Sequence, residues 1–419
     1  MISPLIAERP SATAIRPATG PATPVADGIW MSEGLSNSFL VTTTAGRVII
    51  NTGMGFEAPQ HLRAYAAVAP GRTRYILLTQ GHVDHVGGVD TLCEPGTTVI
   101  AHRANAACQA DDARIAAFRA RRSYPFFAEA MSAAARAARP GDPAPVQSTP
   151  TPDIAVDDTY AFELGGTRFE LLSTPGETVD SLTVWLPQRR IAFVGNLFGA
   201  LFGHFPNFNT IRGDRVRDPL QFIASADRVL ALKPELLCVG HFAPIHGAEV
   251  IRAEITKVRD AVRYVHDAVV RAMNDGTDVH TLMRELRLPE HLCVGEGYGT
   301  VAWAVRAIWE LYAGWFHAGS TTELYGIPAR DAHPALVAVA GATALVHAAD
   351  DALRQGLPLR AVQLAEVVLT AEPDNHAALR VFRDAHILLR DEHRGANFWL
   401  HRWLELSIDT ADKALEEGK

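Results

Sequence analysis

The sequence predicts a layered α/β domain followed by an α-helical domain. Over residues 29–240, short β-branched runs alternate with turn signals and helical stretches, a pattern typical of sheets whose faces are covered by helices. After residue 251 the chain favours Ala, Leu, Arg and Glu at helical spacing. With 48% hydrophobic and 21% charged residues, the composition is that of a globular protein.

These patterns divide the chain into three parts. We predict an N-terminal arm over residues 1–25, an α/β domain over 26–250 and a helical domain over 251–419, with a hinge near residue 326. The stretch 103–144 is rich in Ala and Arg and poor in strand formers. We therefore expect a helical insertion there, in a position that suits a lid or a substrate wall.

Composition excludes several classes of protein. Apolar runs stay well short of the roughly 18 residues that a membrane span needs, and the net charge of −8 provides no basic surface for nucleic acid. The first 25 residues carry five prolines and no apolar core of a secretory signal. The four cysteines are scattered, which favours free thiols in a reducing compartment. We expect a cytoplasmic protein.

The segment over residues 79–88, Thr-Gln-Gly-His-Val-Asp-His-Val-Gly-Gly, follows a predicted buried strand. Its two imidazoles and one carboxylate, which we expect on a loop rather than a helix, are able to surround a metal pair. The following glycines allow a tight turn into the next helix. The alternative is a polar strand end with capping residues.

The segment and four further landmarks resemble the metallo-β-lactamase fold. Residues 79–88 are similar to its metal-binding signature, usually Thr-His-x-His-x-Asp-His-x-Gly-Gly. Residues 51–53 stand where the family usually has Asp-Thr-Gly, and 175–177, 195–196 and 240–241 follow in the family's order. The resemblance implies a metallo-β-lactamase αββα sandwich, followed by an all-α helical domain like the alkylsulfatase dimerisation domain.

Within that fold the chain looks most like the alkylsulfatase branch. Glu177 in place of the third histidine is typical of that branch, and residues 207–218 are similar to its anion-binding segment. Residues 298–316 resemble the helical domain through which those enzymes dimerise, so we expect a homodimer. We also expect the branch's C-terminal sterol-carrier-like domain and its secretion signal to be missing.

The resemblance implies ligands for two divalent metal ions. For one ion it implies a complete set, Asp84, His85 and His241. For the other it implies His82 and Glu177, with Gln80 and Asn196 in places normally held by stronger ligands. Gln80 binds either directly or through water, and the alternative for Asn196 is an amide that holds a loop. The oxygen-rich second position favours iron or manganese over zinc, although zinc is the alternative.

These residues predict hydrolysis by a metal-bound hydroxide, because a metal ion lowers the pKa of water to about 7. Asp84 would orient the hydroxide and accept a proton, as in the family. Three residues, His204, Asn207 and Arg212, would bind an anionic substrate group. The alternative for Arg212 is a structural ion pair with Asp214 or Asp218.

The substrate is the least constrained part of the prediction. We expect a thioester of coenzyme A with a bulky lipophilic acid, because a thiolate leaving group needs no strong general acid. The main alternative is an alkyl sulfate ester, as in the branch that the chain resembles. Iron-dependent oxygen chemistry and a non-catalytic scaffold are further alternatives. In each case the expected partner is a small molecule.

Overall fold

Two β-sheets lie face to face in this computed structural model, which describes residues 1–137 and 146–417. The first sheet contains β1 (Thr23–Ala26), β2 (Ile29–Ser32), β3 (Ser38–Thr43), β4 (Gly46–Ile50), β5 (Thr73–Leu77), β6 (Thr98–His102) and β7 (Ile154–Val156). The second contains β8 (Thr159–Leu164), β9 (Thr167–Ser173), β10 (Leu182–Leu186), β11 (Ile191–Gly195), β12 (Leu236–Val239) and β13 (Ile245–His246). In each sheet the strands follow the order of the chain.

The chain forms two compact units, residues 1–311 and 312–419. The helices that begin in the first unit are α1 (Pro4–Glu8), α2 (Ala58–Val68), α3 (Val83–Val86), α4 (Val89–Leu92), α5 (Asn105–Arg114), α6 (Ala116–Ala137), α7 (Pro219–Leu232), α8 (Ala248–Asn274), α9 (Val279–Glu285) and α10 (Val301–Ala313). Those of the second unit are α11 (Thr321–Leu324), α12 (His333–Ala340), α13 (Ala342–Arg354), α14 (Pro358–Ala371), α15 (His376–His393) and α16 (Phe398–Glu417).

The inner faces of the two sheets form the central core. Val48 and Leu77 of the first sheet pack with Phe169, Val184 and Phe193 of the second, and all five are almost fully buried. Each buried side chain of this size stabilises the fold by about 1.5–3 kcal/mol. Apolar contacts of this kind hold the two sheets together.

Helices cover both outer faces of this sandwich. On the first sheet, Ile49 and Ile76 pack with Tyr65 of α2. On the second, a larger core joins Val194 to Phe222 of α7 and Ile255 of α8, and extends to residues of α10. The layers are therefore helix, sheet, sheet and helix, which confirms the predicted αββα sandwich.

Helices α8, α9 and most of α10 belong to the first unit, since they pack on the second sheet. The division after residue 311 therefore falls between the boundary predicted near residue 250 and the hinge predicted near 326. Within the predicted insertion, residues 105–114 and 116–137 are helical, and its last residues, 138–144, lie outside the described part of the chain.

The second unit is built from helices around small side chains. Ala349, Ala361 and Ala385 are buried at its centre, with Val381 beside them. Helices α14 and α15 flank a turn at residues 372–375. Along the described chain no single helix has the length and apolarity to cross a membrane, although α12 and α13 pass that test together as a bent pair that includes the turn before α12.

Candidate functional site

The first polar side chains of the site stand where parallel strands end. Strands β4, β5 and β6 run parallel, so their carboxyl ends meet at one edge of the sheet. Asn51, directly after β4, has a φ of 58°, a left-handed conformation that asparagine tolerates well. Its side chain accepts the backbone N–H of Thr79 and donates to the Thr79 hydroxyl, both at 2.9 Å. These bonds fix the start of the segment over residues 79–88.

Asp84 and His85 lie in a one-turn helix, α3, and His82 occupies its N-cap position without a side-chain capping bond. The sequence placed these residues on a loop, and that prediction was wrong: Ser36 Oγ donates to the Asp84 carbonyl at 2.7 Å and Thr52 Oγ1 donates to the His85 carbonyl at 2.9 Å. Side-chain donors from two other loops thus satisfy carbonyl groups that a single turn leaves free.

Two glycines of the site allow neighbouring segments of the chain to approach each other closely. Gly88 has a φ of −96°, which any residue adopts, but a Cβ atom there would lie 2.4 Å from the Thr52 carbonyl oxygen. Gly195, at the end of β11, has a φ of +52°, and a Cβ atom would lie 2.2 Å from Thr79 Oγ1. The strand ends approach each other this closely only because both positions lack a side chain.

Gln80, His82 and Glu177 form one group of site residues, which we call the Gln80 cluster. Gln80 Nε2 lies 3.0 Å from His82 Nδ1 and donates to Glu177 Oε2 at 2.9 Å. The Gln80 oxygen accepts the backbone N–H of Asn196 at 3.2 Å. All three side chains are buried, and their facing polar atoms bond to one another.

Asp84, His85 and His241 form a second group, which we call the Asp84 cluster. His85 Nε2 lies 3.6 Å from Asp84 Oδ2 and has no hydrogen-bond partner among the described residues. His241 Nε2 lies 3.1 Å from the amide nitrogen of Asn196. The buried oxygen of that amide also lacks a partner in the described chain.

The Asp84 cluster has the protonation states of a metal site. Burial lowers the pKa of His85 and of His241, which favours neutral imidazoles. Burial alone would raise the pKa of Asp84, but the neighbouring histidines His85, His241 and His82 outweigh it and lower that pKa. The cluster therefore combines one ionised carboxylate with neutral imidazoles, the forms that bind a divalent ion.

In the Gln80 cluster, charged neighbours shift the pKa values more strongly than burial does. Burial raises the pKa of Glu177, but Arg217, His82 and Gln80 together hold that pKa well below its usual range. Burial lowers the pKa of His82, but the hydrogen bond and charge of Glu177, with Asp214 and Asp84, raise it overall. Glu177 is therefore a carboxylate, with cationic partners supplied by the protein.

Arg217, Asp214 and Arg119 connect the site to the insertion, and the sequence did not identify Arg217 as a site residue. Arg217 Nη2 lies 3.4 Å from Glu177 Oε1 and 3.5 Å from Asp214 Oδ2. Arg119 of α6 lies 3.6 Å from Asp214 and pairs also with Asp112 of α5. Only the burial of Arg217, at 8% exposure, distinguishes it from its exposed neighbour Arg215, and the sequence carries no sign of this.

The three predicted substrate residues have different surroundings. Asn207 is 1% exposed, its carbonyl accepts from Arg217 Nη1 at 2.7 Å, and both polar atoms of its side chain lack partners in the described chain. Arg212 lies over the Phe127 ring at 5.9 Å, and its pKa rises through nearby Tyr298, Asp214 and Glu177 despite burial, which lowers it. Asn207 and Arg212 thus lie beside the Gln80 cluster.

His204 is held by the backbone of another loop. Its Nδ1 accepts the N–H of Gly297 at 3.0 Å, and residue 204 forms an isolated β-bridge with Gly295. Burial, assisted by the charge of Arg9, lowers its pKa to about 4. The contacts of His204 thus anchor a loop.

The four-layer fold, with polar residues gathered at the strand ends, is the architecture of metallo-β-lactamase proteins. The model of the metallo-β-lactamase superfamily matches residues 31–241, and the chain belongs to this superfamily. The model of the alkyl sulfatase dimerisation domain matches residues 279–398. Both matches confirm the resemblance that the sequence motifs indicated.

Two curated relatives are named as sulfatases, and a solved structure shares the fold of the chain. A linear primary-alkylsulfatase from a Pseudomonas species is 31% identical over 235 residues, covering 54% of this chain and 44% of that protein. The alkyl/aryl-sulfatase BDS1 of Saccharomyces cerevisiae is 25% identical over 389 residues, covering 86% and 59%. The structure of the inverting sec-alkylsulfatase Pisa1 from Pseudomonas superposes with a TM-score of 0.80 at 20% identity, covering 93% and 65%. The chain therefore spans about half the length of these curated relatives.

Metal ions are implied by the superfamily, and the side chains fit them unequally. In residues 1–137 and 146–417, no three His, Cys, Asp or Glu side chains are grouped as closely as the ligands of a bound ion. The Asp84 cluster nevertheless supplies a carboxylate and two imidazoles, and the buried His85 Nε2 has no hydrogen bond there. Three such ligands and an open position are typical of catalytic metal sites, so this cluster fits a divalent ion.

Proposed function

We propose that this chain is a metal-dependent hydrolase of alkyl sulfate esters. Two relatives that match the chain are sulfatases by name, and a match to the alkyl sulfatase dimerisation domain follows the superfamily domain. This was the alternative in the sequence analysis. The coenzyme A thioester that the sequence analysis preferred gains no support from these relatives.

The observation that carries the proposal is the buried, unpaired side chain of Asn207. Neither of its amide atoms has a partner in the described chain, and the same holds for the hydroxyl of Thr210, which is 4% exposed. A buried polar group without a partner costs about 1–3 kcal/mol. A sulfate group provides acceptors for both residues, and Arg212 on the same segment provides the opposite charge.

The proposed reaction adds water to R–O–SO₃⁻ and releases an alcohol and hydrogen sulfate. Asp84, His85 and His241 would hold a divalent ion, which would supply polarisation of an ester oxygen and a lowered pKa of water. The carboxylate of Asp84 accepts the proton that the attacking water loses. Burial raises the pKa of Tyr298 to about 12, so its phenol stays protonated and donates a hydrogen bond to the sulfate beside Arg212.

Helix α6 is the proposed wall for the alkyl chain. Arg122 of α6 lies over the Phe118 ring at 5.3 Å and donates to the Ile211 carbonyl, so the helix packs against the segment that carries Arg212. Its exposed apolar side chains are Phe118, Tyr124 and Met131. A long alkyl group that covered them would be removed from water, at about 25 cal/mol per Å² buried.

The test compares two products. We expect the purified protein to release sulfate and alcohol from dodecyl sulfate and from a secondary alkyl sulfate, and to release no thiol from a panel of acyl-coenzyme A esters. Asn207→Ala should reduce sulfate release, whereas Asn274→Ala, at an exposed position, should not. Thiol release without sulfate release would contradict the proposal.

We propose further that the protein is a homodimer. The dimerisation-domain match covers residues 279–398, and Tyr312, Trp315 and Phe316 expose 50%, 67% and 36% of their surfaces. Exposed aromatic residues are enriched at protein interfaces. Light scattering coupled to size exclusion should give twice the chain mass, and Trp315→Ser should shift it toward the monomer. A monomeric wild-type protein at micromolar concentration would contradict this.

The metal that the protein holds is also open to a direct test. The sequence predicts iron or manganese over zinc on the assumption of a second, oxygen-rich site at Gln80, whereas the carboxylate and two imidazoles of the Asp84 cluster also suit zinc. Elemental analysis of protein purified without added metal measures this preference. Stoichiometric zinc alone would contradict it.

A further inference from the structure

Hydrogen bonds fix the orientation of the Gln80 amide. Its oxygen accepts the backbone N–H of Asn196 at 3.2 Å, so its nitrogen points at His82 and Glu177. Turning the amide over would set two donors against each other at Asn196 and two acceptors at Glu177. An amide NH₂ group offers hydrogens and no metal-binding lone pair. In place of the family's histidine ligand, Gln80 therefore presents a donor.

Most of the remaining polar atoms of the Gln80 cluster also have partners. Glu177 Oε2 accepts from Gln80, and Glu177 Oε1 lies 3.4 Å from Arg217 Nη2. His82 Nδ1 lies 3.0 Å from the Gln80 amide nitrogen and 3.3 Å from Glu177 Oε2, and His82 Nε2 lies 4.0 Å from Asp214 Oδ2. A divalent ion at this position would have to displace these hydrogen bonds.

The charged groups around Gln80 also disfavour a metal ion at this position. Arg217 is 8% exposed and pairs with both Glu177 and Asp214, and Arg119 lies 3.6 Å from the same Asp214 oxygen. Guanidinium groups, always charged, therefore neutralise the carboxylates around Gln80. A second cation placed a few ångströms from Arg217 would be repelled at low effective dielectric constant.

The Asp84 cluster lacks these features. His85 Nε2 makes no hydrogen bond in the described chain, and neither does the buried amide oxygen of Asn196. The Gln80 side chain is oriented by a hydrogen bond to its oxygen, but among the described residues no such bond orients the side-chain amide of Asn196. Rotation of the Asn196 amide by 180° brings its oxygen to His241 Nε2. This cluster, unlike the other, presents acceptors that a cation is able to use.

We propose that the chain binds a single divalent ion, at Asp84, His85 and His241, and that Gln80 and Arg217 replace the second ion of the family by hydrogen bonds and charge. This departs from the two ions that the sequence analysis expects. The proposal concerns the composition of the site, and it holds whichever ester the protein cleaves.

The experiment counts metal ions. Metal-free protein is titrated with Zn²⁺ in a calorimeter, and the zinc content is measured again after removal of free ions. We expect about one ion per chain for the wild type and about two for Gln80→His, which restores the imidazole of the family signature. Gln80→Leu, which removes the same hydrogen bonds without adding a ligand, should remain at about one. A wild-type content of two ions, or of none, would overturn the proposal.

A pair of histidine variants locates the ion. His85→Ala should lower the zinc affinity by more than the roughly 10- to 100-fold that loss of a hydrogen-bond partner of a ligand costs, whereas His82→Ala should leave it within about threefold. The reverse order would place the ion in the Gln80 cluster and overturn the proposal. Zinc counts are independent of substrate, so one ion without sulfate release contradicts only the proposed function. Sulfate release with two ions contradicts only the single-ion proposal.

Discussion

The Gln80 cluster and the Asp84 cluster stand at the same edge of the sandwich, yet their polar atoms are satisfied in different ways. In the first, Gln80 donates to Glu177, and Arg217 outside the cluster pairs with Glu177. In the second, His85 Nε2 and the Asn196 oxygen are buried without partners among the described residues. Buried polar groups that bond to one another form a rigid structure, whereas buried polar groups without partners indicate a position where a ligand binds. We therefore expect the chemistry at the Asp84 cluster and a supporting role for the Gln80 cluster.

The strongest test of this assignment is Asp84→Asn. The substitution keeps the shape of the side chain but removes the proton acceptor and the only carboxylate of the Asp84 cluster. We expect kcat/KM for an alkyl sulfate to fall by about 10³-fold or more. The control is Asp90→Asn on α4, which is exposed and should retain full activity. An Asp84→Asn enzyme within tenfold of the wild type would break the comparison.

The next test removes the charge that the proposal gives to the substrate. Arg212→Gln should raise KM for an alkyl sulfate by roughly 10- to 100-fold, since a hydrogen bond to a charged group contributes about 1.5–3 kcal/mol. Arg215→Gln is the matched control, because that side chain is 76% exposed. Equal effects of the two variants in steady-state kinetics would show a general loss of positive charge rather than a contact with the substrate.

Glu177→Gln tests the supporting role of the Gln80 cluster. The change removes the carboxylate that Arg217 faces, although Asp214 still pairs with that guanidinium. We expect the free energy of unfolding to fall by roughly 1–3 kcal/mol, as measured with urea, and the zinc content to remain that of the wild type. Loss of zinc with unchanged stability would instead make Glu177 a ligand, contrary to the comparison.

Much of the fold and half of the site could be predicted from sequence. The strand ends at Asn51 and Thr79, and the spacing of His82, Asp84 and His85, are local patterns that a single chain displays. The αββα layers follow from the same resemblance. The prediction of a loop from the local pattern was wrong at α3, where donors from Ser36 and Thr52 stabilise a helical turn.

The rest depends on contacts between distant residues. The direction of the Gln80 amide is set by the backbone N–H of Asn196, 116 positions away. The pairing of Arg217 with Glu177 joins two loops, and no periodicity reveals it. The preference for a thioester rested on leaving-group chemistry, which names no residue of this chain, and sequence similarity to sulfatases now weighs against it.

Substitution of His204 has the smallest expected effect, and it tests whether His204 belongs to the substrate site. Its pKa of about 4 lies below the value near 6.5 of an unfolded chain, so the unfolded state binds more protons between these values. Stability is therefore lost as the pH falls from 6.5 to 4. For His204→Gln, which does not titrate, the loss of unfolding free energy between pH 7 and pH 5 should be smaller by roughly 1–2 kcal/mol, after a discount for partial exposure. KM for an alkyl sulfate should stay within twofold, because His204 bonds to Gly297. A tenfold rise in KM with an unchanged pH slope would return His204 to the substrate site that the sequence predicted.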